Sequence, residues 1–297
     1  MKHKAQALVV SGFLGSGKTT LVRHLLEEGQ RDGIRTAVVS NEFGELGIDQ
    51  AVLASSQGDF VELAGGCVCC RLADDLLLTL QQLWERTGPE RVVVETSGVA
   101  LPYDTLINFW RDPVRAWAID ESSVVVVSAE QVCAGRDLDA TFEDQVCSAD
   151  LLLLSKTDLV SEENAARAER YLRDMQPGVT ILRASFGDID SRVFFPPEPG
   201  SREAARRIEE REHRHNHQSY VCEELAVAAG TAEAEIRRRL EQRAPLRAKG
   251  FVETAAGLRL VQGVGTNVEI TPVPSPPPAE LLGRIVIIER RRNSAHA

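Results

Sequence analysis

Residues 12–19 read Gly-Phe-Leu-Gly-Ser-Gly-Lys-Thr, a full match to the pattern G-x-x-x-x-G-K-[ST]. They follow a short apolar run, Ala7-Val10, and lead into a helical pattern, Thr19-Leu26, which is the strand, loop and helix order the pattern needs. Glycines let the backbone curl until successive N–H groups face one point. The helix start adds its positive end, so the loop is built to hold phosphate. Lys18 would reach the β and γ phosphates and the Thr19 hydroxyl would ligate Mg²⁺, with Gly12, Gly15, Ser16, Gly17 and Thr20 completing the cradle. The implied ligand is a nucleoside triphosphate.

Working outward, further short apolar runs recur at Thr36-Val39, Phe60-Leu63, Val92-Val94, Val124-Val127, Leu151-Leu154 and Val179-Leu182. They are continuous rather than alternating, as in strands buried on both faces of a parallel sheet. Helical patterns lie between them. In Leu72-Trp84 the residues Leu76, Leu80, Leu83 and Trp84 repeat at helical spacing, and Glu162-Met175 has Ser161 ahead of it as an N-cap. The alternation predicts an α/β fold over residues 1–186: a P-loop NTPase domain with a doubly wound, mainly parallel sheet. Composition changes near residue 187, and Pro196-Pro197-Glu198-Pro199-Gly200 marks a linker over 187–216. Residues 217–297 read as a smaller C-terminal α+β domain. Its strand Tyr220-Val227 and helix Glu233-Arg243 precede strands at Phe251-Thr254, Leu258-Val261, Asn267-Ile270 and Ile285-Ile288.

The bulk numbers narrow the function classes. A chain of 297 residues with formal net charge −10 offers no broad field for nucleic-acid phosphates, and no nucleic-acid partner is expected. No segment approaches the roughly 20 consecutive apolar residues of a membrane helix, so no membrane partner is expected either. The apolar start is too short for a signal peptide, which points to a cytoplasmic, reducing setting in which thiols stay free. Cys133, Cys147 and Cys222 stand apart and read as small hydrophobes.

Three more loops follow strands. Leu151-Leu154 runs into Ser155-Lys156-Thr157-Asp158, which resembles the Asn-Lys-x-Asp element of GTPases. In that element the aspartate carboxylate pairs with the guanine amino and ring N–H, two donors that adenine does not present together. Lys156 and Asp158 therefore argue for GTP, while Ser155 in place of Asn weakens one supporting hydrogen bond. Val92-Val94 ends in Glu95-Thr96-Ser97-Gly98: Glu95 could hold Mg²⁺ through a water or orient the attacking water, and the Gly98 N–H could meet the γ-phosphate. Ser40-Asn41-Glu42-Phe43-Gly44-Glu45, followed by Gly47 and Asp49, also follows a strand and looks like a switch loop, with an acidic surface turn as the competing reading.

Gly65-Gly66-Cys67-Val68-Cys69-Cys70 holds three of the six cysteines. It lies between a predicted strand and helix, where ligands gather at the carboxyl ends of parallel strands. Cys70 sits near a helix start, which favours the thiolate. Such thiolates can grip Zn²⁺, Co²⁺ or Cu⁺. Adjacent side chains at 69 and 70 do not easily share one ion with Cys67, so two sulfurs plus Glu42 or Glu45, or a water, form the expected set. Buried thiols, or a redox or nucleophilic cysteine, are the competing readings.

Taken in order, GFLGSGKTT, NEFGELGID, GGCVCC, ETSG and SKTD resemble the CobW family of metal-linked GTPases, related to GTPases that mature urease and hydrogenase. RAKGF (247–251) and LVQGV (260–264) are similar to the family's C-terminal domain. The resemblance implies GTP hydrolysis coupled to transition-metal handling through Cys67, Cys69 and Cys70. Zn²⁺ or Co²⁺ would go to a client metalloprotein or a cofactor-biosynthesis partner, and a homo-oligomer is an open question. Ser128, where many relatives carry Asp, departs from the pattern with no evident consequence. His213, His215 and His217 could converge on an ion if extended, but also read as a solvated linker. The rival from another class is a metal buffer or sensor with nucleotide-gated binding and little turnover; a third is an ATP-using P-loop kinase or synthetase.

Overall fold

The computed structural model describes residues 4–40, 59–62, 72–185, 189–197, 220–273 and 282–290. The chain divides into two compact units, Met1–Ser191 and Arg192–Ala297. The expected linker straddles that division.

In the first unit the strands are β1 (Ala5–Ser11), β2 (Thr36–Ser40), β3 (Asp59–Glu62), β4 (Arg91–Glu95), β5 (Ala118–Ser128), β6 (Leu151–Ser155) and β7 (Thr180–Arg183). They form one sheet in the order β3-β2-β4-β1-β5-β6-β7, every neighbouring pair parallel. The helices described are α1 (Lys18–Asp32), α2 (Leu72–Thr87), α3 (Pro102–Leu106), α4 (Ala129–Ala134), α5 (Ala140–Cys147) and α6 (Glu162–Met175). The continuous apolar runs are strands with both faces covered: β2, β4 and β6 are buried at every position. Ala7, Val9, Val39, Val92 and Val94 pack on Leu76, Leu80 and Leu83 of α2 and on Phe109 and Trp117. Val125, Val127, Leu152 and Leu154 pack on Phe142 and Val146 of α5 and Ala168 and Leu172 of α6. Trp117 also stacks on Trp84 with ring centroids 5.5 Å apart and donates Nε1–H to Gln81 Oε1 at 2.8 Å.

β5 starts six residues before its predicted apolar run, which began at Val124. Its first half, Ala118–Ser123, polar from Asp120 on, pairs with β1 across a register shift, with Asp120 in the left-handed region at φ 54. Ser123 is buried there with its needs met, since Asp150 Oδ2 accepts from Ser123 N at 2.7 Å and from Ser123 Oγ at 2.9 Å.

The second unit contains β8 (Tyr220–Ala226), α7 (Glu233–Arg243), β9 (Arg247–Thr254), β10 (Gly257–Val264), β11 (Asn267–Pro272) and β12 (Arg284–Arg290). The strands form an antiparallel sheet, β11-β10-β9-β12-β8. Ile236 and Leu240 of α7 close its core against Val252, Val261, Val268, Ile285 and Ile287. Gly250 lies in β9, where an added Cβ would sit 2.1 Å from Arg284 O on the neighbouring strand.

What positions the site is the register of the first sheet. Glu62 pairs with Ser40, Ser40 with Glu95, and Glu95 with Val10, so the carboxyl ends of β3, β2, β4 and β1 form one row. Ser128 and Ser155 pair at the ends of β5 and β6. In open α/β sheets this edge is where ligands bind.

Candidate nucleotide site

The phosphate loop begins where β1 ends. Gly12 has φ 131, and a Cβ there would lie 2.2 Å from Val126 O, so only glycine permits this turn beside β5. Gly15, at φ 70, is exposed at the tip, and Gly17, at φ 106, caps α1 in the left-handed region. Lys18 is the first residue of α1; its Nζ donates to Phe13 O at 3.3 Å, across the loop. The Ser16 hydroxyl is fully buried and has no hydrogen-bond partner among the described residues. A buried hydroxyl inside a ring of glycines suits a phosphate oxygen. Thr20 follows on α1, half-buried.

Thr19 and Glu95 come together as their sequence contexts predict. Thr19 Oγ1 donates to Glu95 Oε1 at 2.7 Å, and Glu95, at the end of β4, is buried. A hydroxyl and a carboxylate side by side at the lip of a phosphate loop are hard oxygen donors of the kind Mg²⁺ takes. Gly98 lies three residues on. An added Cβ would meet Leu14 Cγ at 2.8 Å and Leu14 N at 3.0 Å, so glycine lets this loop lie directly on the phosphate loop.

Lys156, at φ 55, turns the chain out of β6 into a short 3-10 turn that carries Asp158, whose side chain is exposed. Ser155 is buried between this turn and the phosphate loop. Its Oγ donates to Ser16 O at 2.5 Å and lies 3.2 Å from Val127 O. The serine, where the GTPase element has asparagine, thus tethers the Lys156–Asp158 turn to the glycine-rich loop. Ser128 accepts from Gln131 N at 3.4 Å and caps α4, a role that Asp would also fill.

Two contributors escaped the sequence reading. Ser11 Oγ donates to Ala100 O at 3.1 Å, and Gln145 of α5 donates through Nε2 to Gly98 O at 3.1 Å and Ala100 O at 3.0 Å. No sequence pattern links position 145 to position 98; a polar residue in a short helix gives no sign of facing inward.

Cys67, Cys69, Cys70, Glu42 and Glu45 lie outside the described residues, as do His213, His215 and His217. Among the described residues there is no group of three or more His, Cys, Asp or Glu that could hold a metal ion, and no helix long and apolar enough to cross a membrane.

Residues 6–183 match the family described as CobW/HypB/UreG, nucleotide-binding domain. A protein named zinc chaperone CobW from a Sinorhizobium species is 32% identical, covering 90% of this chain and 87% of its own. Its namesake from Pseudomonas aeruginosa is also 32% identical, over 90% of this chain and 82% of its own. Zinc chaperone YeiR of Escherichia coli is 26% identical over 82% of this chain and 73% of its own. Among solved structures, a zinc-bound triple mutant of YjiA GTPase aligns at 21% identity with a TM-score of 0.50, over 97% of this chain and 94% of that one, a likeness of fold. With this match over residues 6–183 and relatives at 32% identity over 90% of its length, the chain belongs to the CobW/HypB/UreG family of P-loop GTPases.

Proposed function

We propose that the protein is a zinc metallochaperone that hydrolyses GTP and whose nucleotide state gates its grip on the metal. The phosphate loop Gly12–Thr20 holds the triphosphate, with Lys18 on its β and γ groups. Thr19 and Glu95 serve Mg²⁺, the Gly98 N–H meets the γ-phosphate, and Asp158 with Lys156 reads guanine. Cys67, Cys69 and Cys70, with Glu42 or Glu45, form the metal pocket. Thiolates accept zinc and cobalt alike, and the names of the relatives favour zinc.

The observation that carries the reading is the register row Glu62–Ser40–Glu95–Val10. Neighbouring strands are about 4.8 Å apart, so the backbone at the end of β3 lies roughly 14 Å from the end of β1 along the sheet edge. Cys67 follows Glu62 by five positions, a span of up to about 17 Å of chain. That length of chain is enough for thiols after β3 to approach phosphates held after β1, which supports the reading. GTP would order the loops after β2 and β4, completing the pocket; hydrolysis would relax them and release zinc to a client in the cytosol.

The test is the zinc content of protein loaded with a non-hydrolysable GTP analogue, native against Cys67→Ala and Cys69→Ala. About one zinc per native chain, lost in both variants, is expected. Full zinc occupancy in the variants refutes the thiol assignment.

A further inference from the structure

Gln145 is fully buried, yet its amide is only half used. Both of its partners, Gly98 O and Ala100 O, are carbonyls, so the NH₂ group must face them. That orientation leaves Oε1 buried with no donor among the described residues. The amide spends both donors on the carbonyls of one turn, Gly98 O and Ala100 O, and leaves its own buried acceptor undonated in doing so, which makes the hold on that turn the feature to explain.

What the amide holds is specific. The turn from Thr96 to Ala100 is closed by Ala100 N–H to Ser97 O at 3.1 Å, and begins with Thr96 N–H on Val10 O at 2.9 Å. Ser11 Oγ holds Ala100 O at 3.1 Å from β1, and Leu14 packs against Gly98 from the phosphate loop. Those anchors belong to the nucleotide site itself. Gln145 comes from α5, outside every nucleotide motif, and grips the two carbonyls that flank Val99. With Ser97 O held as well, the peptide units on both sides of Gly98 are fixed, and the direction of the Gly98 N–H with them.

We propose that Gln145 is a positioning residue for the γ-phosphate: by clamping Gly98 O and Ala100 O it presets the Gly98 N–H for GTP and not for GDP. This rests on the reading of Gly98 as the γ-phosphate contact. A preset donor loses little freedom when the phosphate arrives, whereas an unclamped glycine loop must be ordered at that moment. The clamp therefore acts on GTP binding and turnover and leaves GDP, which lacks the γ-phosphate, alone.

The experiment measures affinities for GDP and for a non-hydrolysable GTP analogue, with kcat, in the full-length native chain, Gln145→Met and Gln145→Glu. Methionine keeps the bulk and removes the amide; glutamate keeps the shape and, when ionised, removes both donors. The expected result for Gln145→Met is GDP affinity within about twofold of native, with analogue affinity and kcat each about tenfold lower. In Gln145→Glu the analogue should bind more tightly as pH falls and the carboxyl gains a proton to donate, a recovery Gln145→Met lacks. Equal weakening of both nucleotides, a collapse of folding in both variants, or no change in the GDP-to-analogue ratio overturns the proposal. A native chain that binds no GTP analogue overturns the nucleotide reading beneath it, a separate outcome.

Discussion

Replacing Ser155 by alanine should weaken GTP and GDP alike by roughly thirtyfold. A serine hydroxyl has one proton to donate. Here the shorter contact, 2.5 Å to Ser16 O, takes it, and Val127 O at 3.2 Å is secondary. Ser155 is 7% exposed and Ser16 fully buried, so water does not replace the lost donor. A buried hydrogen bond is worth about 0.5–1.5 kcal/mol net, and a carbonyl left without a donor raises the loss to about 1–3 kcal/mol. The free loop can relax to recover some of this, whereas the nucleotide-bound loop must keep Ser16 in place. Most of a central loss of about 2 kcal/mol then falls on binding, and about 1.4 kcal/mol per decade converts it to roughly thirtyfold. The assay is titration with fluorescent GDP and GTP analogues, alongside a urea midpoint to confirm folding and Ser155→Thr as the variant that keeps a hydroxyl. A folded Ser155→Ala whose GDP affinity stays within twofold of native would refute the tether.

Gly12→Ala should abolish measurable nucleotide binding: the new Cβ would lie 2.2 Å from Val126 O at a φ of 131, and the loop must leave β5 to relieve it. Equilibrium dialysis with GDP checks this, and native-like binding would contradict the turn geometry. Glu28, on the far part of α1, has its carboxyl pushed above the ordinary 4.5 by burial and by nearby Asp190, opposed by the Ser191 N–H and by His24. Its contribution is fully present below 4.5 and lost as pH rises through the higher folded value, because ionising the buried group favours the unfolded chain. Glu28→Gln should therefore flatten the decline of urea stability with rising pH in this window, and an unchanged slope would contradict the assignment.

Legibility followed how locally each feature is encoded. Runs such as Leu151-Leu154 became strands because burial on both faces leaves no room for polar alternation, and the phosphate loop was readable because its glycines serve backbone needs that no other residue meets. The polar half of β5 was not readable, since its strand character comes from pairing with β1 rather than from its own side chains. β9 likewise starts at Arg247, ahead of the predicted Phe251, because Ala248 and Gly250 carry little strand propensity and are held by β10 and β12. The helices α3, α4 and α5, of five to eight residues, are too short to develop an apolar stripe. The placement of Gly12–Thr20, Glu95–Gly98 and Lys156–Asp158 in loops that follow strands was legible one by one, while their roles toward a nucleotide are proposals. Gln145 and the Ser155 tether were not, because a hydrogen bond between positions 145 and 98, or 155 and 16, exists only in the folded chain.

The central claim, that zinc and the γ-phosphate are read by one edge of the sheet, is tested most directly by zinc titration of the same protein loaded with a non-hydrolysable GTP analogue or with GDP. Coupled sites typically differ by about 5- to 150-fold. The account predicts tighter zinc binding in the GTP-analogue state by a factor in that range, and an equal gain in analogue affinity when zinc is added first. Identical zinc affinities in the two nucleotide states would contradict it.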